Sequence, residues 1–125
     1  MLKVLLVFVG GGLGSAARYG VGRLVYPESQ DTANFPWGTF IVNVVGCFLI
    51  GGLMAYFDTH KHDESQAFFV VGILGGFTTF SSFGFETMKL IRYDHWNLAL
   101  LNIAGNLVLG LLAVWVSREI VNRFA

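Results

Sequence analysis

Charge is absent from three long stretches of this chain: between Asp31 and Asp58, between Glu64 and Glu86, and between Asp94 and Arg118. Each stretch can hold the roughly 20 apolar residues that carry a helix across a bilayer. A fourth apolar run starts at Val4, reaches Ala17 and continues past Arg18 toward Val25. Only 13% of the 125 residues are charged and 54% are hydrophobic, whereas soluble domains carry about 25% charged residues. The sequence therefore reads as an all-α membrane protein, with four transmembrane helices, short connections and no soluble domain.

Local signals set the expected boundaries within a single domain, 1–125. Helix one spans about 2–25, and Pro27 with the polar run Glu28 to Asn34 ends it. Helix two spans about 36–57, with Pro36 at a favoured early position. A polar loop, 58–65, leads to helix three at about 66–92. That helix carries an expected break in the Gly75 to Thr79 region. Tyr93 to His95 form a turn, and helix four spans about 96–122. Trp37, Tyr56, Tyr93, Trp96 and Trp115 fall near helix ends, where amphipathic rings favour the headgroup level.

Several function classes are disfavoured. Zero net charge offers nothing to nucleic acid. Cys47 is the one cysteine and lies mid-span, so it reads as a small packing residue. His60, His62 and His95 sit in loops without further ligands, which argues against a metal site there. Lys3, an apolar core and Ser15-Ala16-Ala17 imitate a signal peptide, but the segment is kept as helix one. Gly12-Leu13-Gly14-Ser15-Ala16-Ala17 imitates a dinucleotide fingerprint without the strand and soluble sheet it requires. No nucleophile has a base beside it in the membrane, so no enzyme chemistry is expected.

Lys and Arg do not choose an orientation. With four spans, both termini and the middle loop share one side, which carries Lys3, Lys61, Arg118 and Arg123. The other side carries Arg18, Arg23, Lys89 and Arg92. A four-to-four balance gives the positive-inside rule nothing to act on. Insertion both ways is expected, with opposite copies pairing as an antiparallel homodimer. A bundle of four short helices is also too thin to enclose a pore alone. Gly10 and Gly14, and Gly72 and Gly76, have the spacing that permits close helix approach. Packing within the subunit explains each pair equally well.

The segment Gly75-Gly76-Phe77-Thr78-Thr79-Phe80-Ser81-Ser82-Phe83-Gly84-Phe85-Glu86 is the candidate site. Hydroxyls, helix breakers and a carboxylate are costly at membrane depth unless they line a cavity or bind something. Thr79, Ser82, Phe83 and Glu86 recur at helical spacing on one face, with Phe80 near Phe83. A phenyl ring has a positive edge. Ring edges with hydroxyl and amide donors make a weak, multi-site environment for a small anion, as conduction requires. Carbonyls freed at a helix break suit a hard cation such as Na⁺. Single hydroxyls often just back-bond to their own helix, so the cluster carries the argument.

Other polar residues stay open to two readings. Asn43, one turn after Thr39, is either an amide donor to an anion or an interhelical hydrogen bond. Asn102 and Asn106 share a face of helix four, where the structural role leads. Arg18 either snorkels to the headgroups or supplies a fixed charge to an anion vestibule.

At these residues the chain resembles the Fluc/CrcB fluoride channels of bacteria. The likeness covers almost the whole length. It rests on Gly11-Gly12-Leu13-Gly14-Ser15-Ala16-Ala17-Arg18-Tyr19, on Gly38-Thr39-Phe40-Ile41-Val42-Asn43 with Gly46, and on Gly75 to Phe83 followed by Glu86. The resemblance implies dual-topology antiparallel homodimers with helix three broken mid-membrane. It implies a structural Na⁺ at the dimer interface, on backbone carbonyls that map to Gly75 and Thr78 of both subunits. It implies two pores that pass F⁻ and exclude Cl⁻. The pore residues map to Phe80, Phe83 and Asn43, with Thr39 and the hydroxyls of Thr79, Ser81 and Ser82, and with Glu86 near one pore end. The implied setting is the bacterial inner membrane, multi-pass. The implied role is protection: HF enters, ionises in the cytoplasm, and F⁻ leaves passively.

Two rivals make different demands. A proton-coupled cation exporter like the small multidrug transporters depends on a glutamate in helix one, which has no carboxylate here; Glu86 is the only candidate and lies near a helix end. A non-transporting assembly subunit or a holin requires no ion flux from the purified protein.

Overall fold

The computed structural model describes residues 1–26 and 34–124. Pro27 and the run from Glu28 to Ala33, expected to end helix one, lie outside the described residues. Among the described residues all regular structure is helical. Four of the described stretches are long and apolar enough to cross a membrane: Leu2–Val25, Trp37–Thr59, Asp63–Arg92 and Trp96–Phe124.

The first two are helices α1 (Leu2–Val25) and α2 (Trp37–Thr59). Pro36 is the cap of α2 rather than part of its first turn, and its carbonyl accepts the Phe40 N–H at 3.0 Å. The third stretch begins at Asp63, within what reads in the sequence as loop. Acidic residues suit a helix start, where the dipole is positive, and Asp63 and Glu64 occupy that first turn. We call its first part α3. It runs from Asp63–Gln66 through a π-helical piece, Ala67–Leu74, to Gly75–Phe77. Thr78 (φ −82°, ψ 157°) and Thr79 (φ −152°, ψ 121°) then leave helical geometry. Gly75 itself is helical (φ −61°, ψ −37°), so the interruption sits at the two threonines. Helix α4 (Phe80–Arg92) restarts the span.

A tight turn joins α4 to α5 (Trp96–Phe124). Asp94 takes a left-handed φ of 58°. Its N–H reaches the Ile91 carbonyl at 3.0 Å, and the His95 N–H reaches that of Leu90 at 2.9 Å. These bonds satisfy carbonyls that a helix end leaves open, and they fold α5 back along α4.

The bundle is held by close approach more than by a core. Val42, Leu74, Leu90 and Ala99 are buried, while Phe8, Leu13, Phe80, Leu101 and Leu111 stand exposed. Outward apolar side chains on this scale fit a lipid or protein neighbour. Both glycine pairs are used within the chain. A Cβ at Gly10 would lie 2.6 Å from the Phe68 carbonyl oxygen, and one at Gly72 would lie 3.0 Å from the Gly10 Cα. Cβ atoms at Gly14 and Gly76 would collide with the carbonyls of Ile73 and Gly11. The α1 backbone therefore lies directly against the π-helical piece and the turn after it. Exposed ion pairs Lys3–Asp63 (2.9 Å) and Arg118–Asp58 (2.7 Å) gather the chain's start, its middle loop and the last turns of α5 at one end. Being exposed, they add little stability.

Candidate functional site

The break removes helical partners from several backbone groups, and each must be replaced at membrane depth. Asn43 of α2 meets the Thr79 backbone twice, replacing the lost partner of its N–H and adding a second donor to its carbonyl. Its Oδ1 accepts the Thr79 N–H at 2.9 Å, and its Nδ2 donates to the Thr79 carbonyl at 3.1 Å. Thr79 in turn caps α4: its hydroxyl oxygen accepts the Ser82 N–H at 3.2 Å. The same hydroxyl donates to Ser82 Oγ at 3.2 Å and lies 3.3 Å from Ser81 Oγ. The three candidate hydroxyls of Thr79, Ser81 and Ser82 thus form one cluster at the start of α4.

Two carbonyls lose their usual donors. In an unbroken helix the Thr79 N–H would serve the Gly75 carbonyl and the Ser82 N–H that of Thr78. Here those N–H groups go to Asn43 Oδ1 and Thr79 Oγ1. Freed carbonyls are the donor set a hard cation takes. The Thr78 carbonyl meets a new donor, because Arg18 Nη1 donates to it at 3.3 Å. Arg18, expected at the headgroups or in a vestibule, thus lies against the break. The Thr78 methyl packs onto Gly46, where a Cβ would collide with it.

A cleft of about 360 Å³ opens beside the break, lined in part by Asn43, Gly75, Thr78, Thr79, Phe80 and Phe83. The Phe80 and Phe83 rings lie 5.5 Å apart, tilted by 45°. Phe80 is 84% exposed, so the chain itself covers little of its ring. Glu86 and Thr39 lie beyond the cleft as a pair: Thr39 Oγ1 donates to Glu86 Oε1 at 2.9 Å. The other carboxylate oxygen, Oε2, is buried without a hydrogen-bond partner.

Asn106 and Asn102 join the site from α5. The remaining Asn43 Nδ2 hydrogen goes to Asn106 Oδ1 at 3.1 Å. Asn106 Nδ2 donates to the Asn102 carbonyl and to Asn102 Oδ1, both at 2.9 Å. Asn102 Nδ2 donates to Thr87 Oγ1 at 2.9 Å. Asn43 therefore has both amide hydrogens engaged by protein. It reaches an anion only by releasing Thr79 or Asn106. Thr87 carries no signal in the sequence, since a lone threonine on a helix ordinarily bonds its own backbone.

The amino-acid sequence has counterparts among known proteins. Residues 5–118 match the model of the family described as CrcB-like protein, Camphor Resistance (CrcB). A protein of Acidobacterium capsulatum, named fluoride-specific ion channel FluC, is 42% identical over 98% of this chain and 98% of its own length. The protein of that name from Opitutus terrae is 44% identical over 93% of this chain and 89% of its own. That of Parabacteroides distasonis is 41% identical over 93% and 90%.

Proposed function

The chain belongs to the CrcB family, and from that premise we propose that it is a fluoride channel that passively exports F⁻ and lowers cytoplasmic fluoride. It is a multi-pass membrane protein and not an enzyme. One observation carries the reading most. Paired aromatic rings and a hydroxyl cluster stand at a helix break in mid-span, beside a cleft.

The proposed path follows Phe80 and Phe83 past the hydroxyls of Thr79, Ser81 and Ser82 toward Thr39 and Glu86. Asn43 borders it. Ring edges and hydroxyl hydrogens replace part of the fluoride hydration shell. Each contact is weak, so the ion also leaves. A tight lining favours F⁻ over the larger Cl⁻. Arg18, beside the break, adds a positive potential that draws anions inward.

The exposure of Phe80 and much of the apolar surface supports a homodimer. With balanced Lys and Arg, we propose that its copies insert oppositely and enclose two pores in the bacterial inner membrane. A structural Na⁺ would be held by the carbonyls of Gly75 and Thr78 from both copies, where it supplies positive charge and fixes the two breaks. Replacing Na⁺ by a larger cation is then expected to weaken the dimer; an unchanged dimer counts against the site. Efflux of F⁻ against Cl⁻ from proteoliposomes tests the function itself.

A further inference from the structure

The asparagine chain has a direction. The Thr79 N–H and carbonyl fix which end of the Asn43 amide is oxygen. Asn43 then donates to Asn106, Asn106 to Asn102, and Asn102 to Thr87. Thr87 Oγ1, already an acceptor, donates to the Phe83 carbonyl at 2.7 Å. Every link donates away from the break, and the chain ends on a residue that bears one of the paired rings. Asn102 is fully buried and Thr87 is 6% exposed, so water offers neither a substitute. In such surroundings a fully satisfied polar network specifies one arrangement, and a gap in it is costly.

We propose that Asn106, Asn102 and Thr87 are positioning residues that lock the Asn43 amide onto Thr79 and hold Phe83 in register with the break. The relay crosses from α2 through α5 to α4 and links the break at Thr79 to Phe83, both on the proposed anion path. Asn102 and Thr87 act through Asn43, and neither lines the cleft. The consequence for ion passage rests on the channel reading above; the mechanical coupling does not.

The test reads both. Thr87→Val removes the hydroxyl at similar volume, Thr87→Ser retains it, and Asn102→Leu cuts the relay at its middle. In full-length protein in detergent, backbone amide exchange at Thr79 is expected to rise about tenfold or more in Thr87→Val and Asn102→Leu, and to stay within about twofold in Thr87→Ser. Remote amides in α1 and the first turns of α2 should not follow. In liposomes, the same two variants should lower the F⁻-to-Cl⁻ flux ratio, and Thr87→Ser should restore it. Unchanged exchange at Thr79 in Thr87→Val overturns the proposal, as does acceleration spread evenly over all helices. Should Asn102→Leu fail to fold, the Thr87 pair decides. Wild-type protein that passes no F⁻ overturns the channel reading instead, and the exchange data still decide the relay.

Discussion

One side chain, Asn43, binds both backbone groups of Thr79, accepting its N–H at 2.9 Å and donating to its carbonyl at 3.1 Å. The amide oxygen gives the Thr79 N–H the acceptor that the preceding turn would supply in an intact helix. Asn43→Leu keeps the bulk and strands the Thr79 N–H, whereas the Thr79 carbonyl, at the cap of α4, keeps the first bond of that helix. Each buried group left unsatisfied costs about 1–3 kcal/mol, so a marked fall in melting temperature in detergent is expected, with F⁻ flux falling too. Wild-type stability in that variant would mean that water serves the break as well as the amide does.

The glycines separate into two classes. A Cβ at Gly14 or Gly76 meets backbone, whereas Gly12 and Gly20 have nothing within 4 Å. Gly14→Ala and Gly76→Ala should therefore destabilise the fold by about 1–3 kcal/mol, as overpacking does. Gly12→Ala and Gly20→Ala should be neutral or mildly stabilising through helix propensity, by up to about 1 kcal/mol. Yield and thermal unfolding of the folded protein report the difference. Equal behaviour of the two classes would refute the close approach of α1 to α3.

Phe80 contributes little to packing within the chain, being 84% exposed. Phe80→Ala should thus leave folding intact while cutting F⁻ flux by roughly tenfold or more, the effect of about 1.4 kcal/mol on the barrier. Phe83→Ala should do the same with some added loss of stability. Flux and size-exclusion profiles measured together check this. Unchanged flux would return the ring pair to lipid contact or plain packing.

Glu86 tests the proton-coupled rival. Its Oε1 accepts from Thr39, and its Oε2 is buried without a partner. Glu86→Gln preserves shape and can still accept from Thr39. A passive fluoride path should retain part of its flux in this variant. A proton-coupled exporter would lose transport altogether, with no dependence on pH gradient left to measure.

Much of this was legible from residue order alone, for identifiable reasons. Long charge-free stretches must cross a membrane as helices, and Thr78 and Thr79 fall inside the region where the break was expected. The start at Asp63 was not legible, because a polar run before a span reads equally as loop or as first turn. Glycine spacing showed that close approach was possible, but not that Gly10 and Gly14 meet Gly72 and Gly76 of the same chain. The relay was hidden for a related reason. Asn43, Asn102, Asn106 and Thr87 are brought together by the packing of three helices, and that register is a property of the whole bundle. The π-helical piece Ala67–Leu74 has no local sequence mark, being as apolar as any α-helical span.

The central claim is selective, passive fluoride conduction by this chain, and efflux from liposomes loaded with both anions tests it most directly. Purified wild-type protein is reconstituted, and F⁻ and Cl⁻ electrodes follow release under an imposed potential without a pH gradient. Rapid F⁻ release with Cl⁻ retained is the predicted result. Release of both ions at similar rates, or of neither, would contradict it.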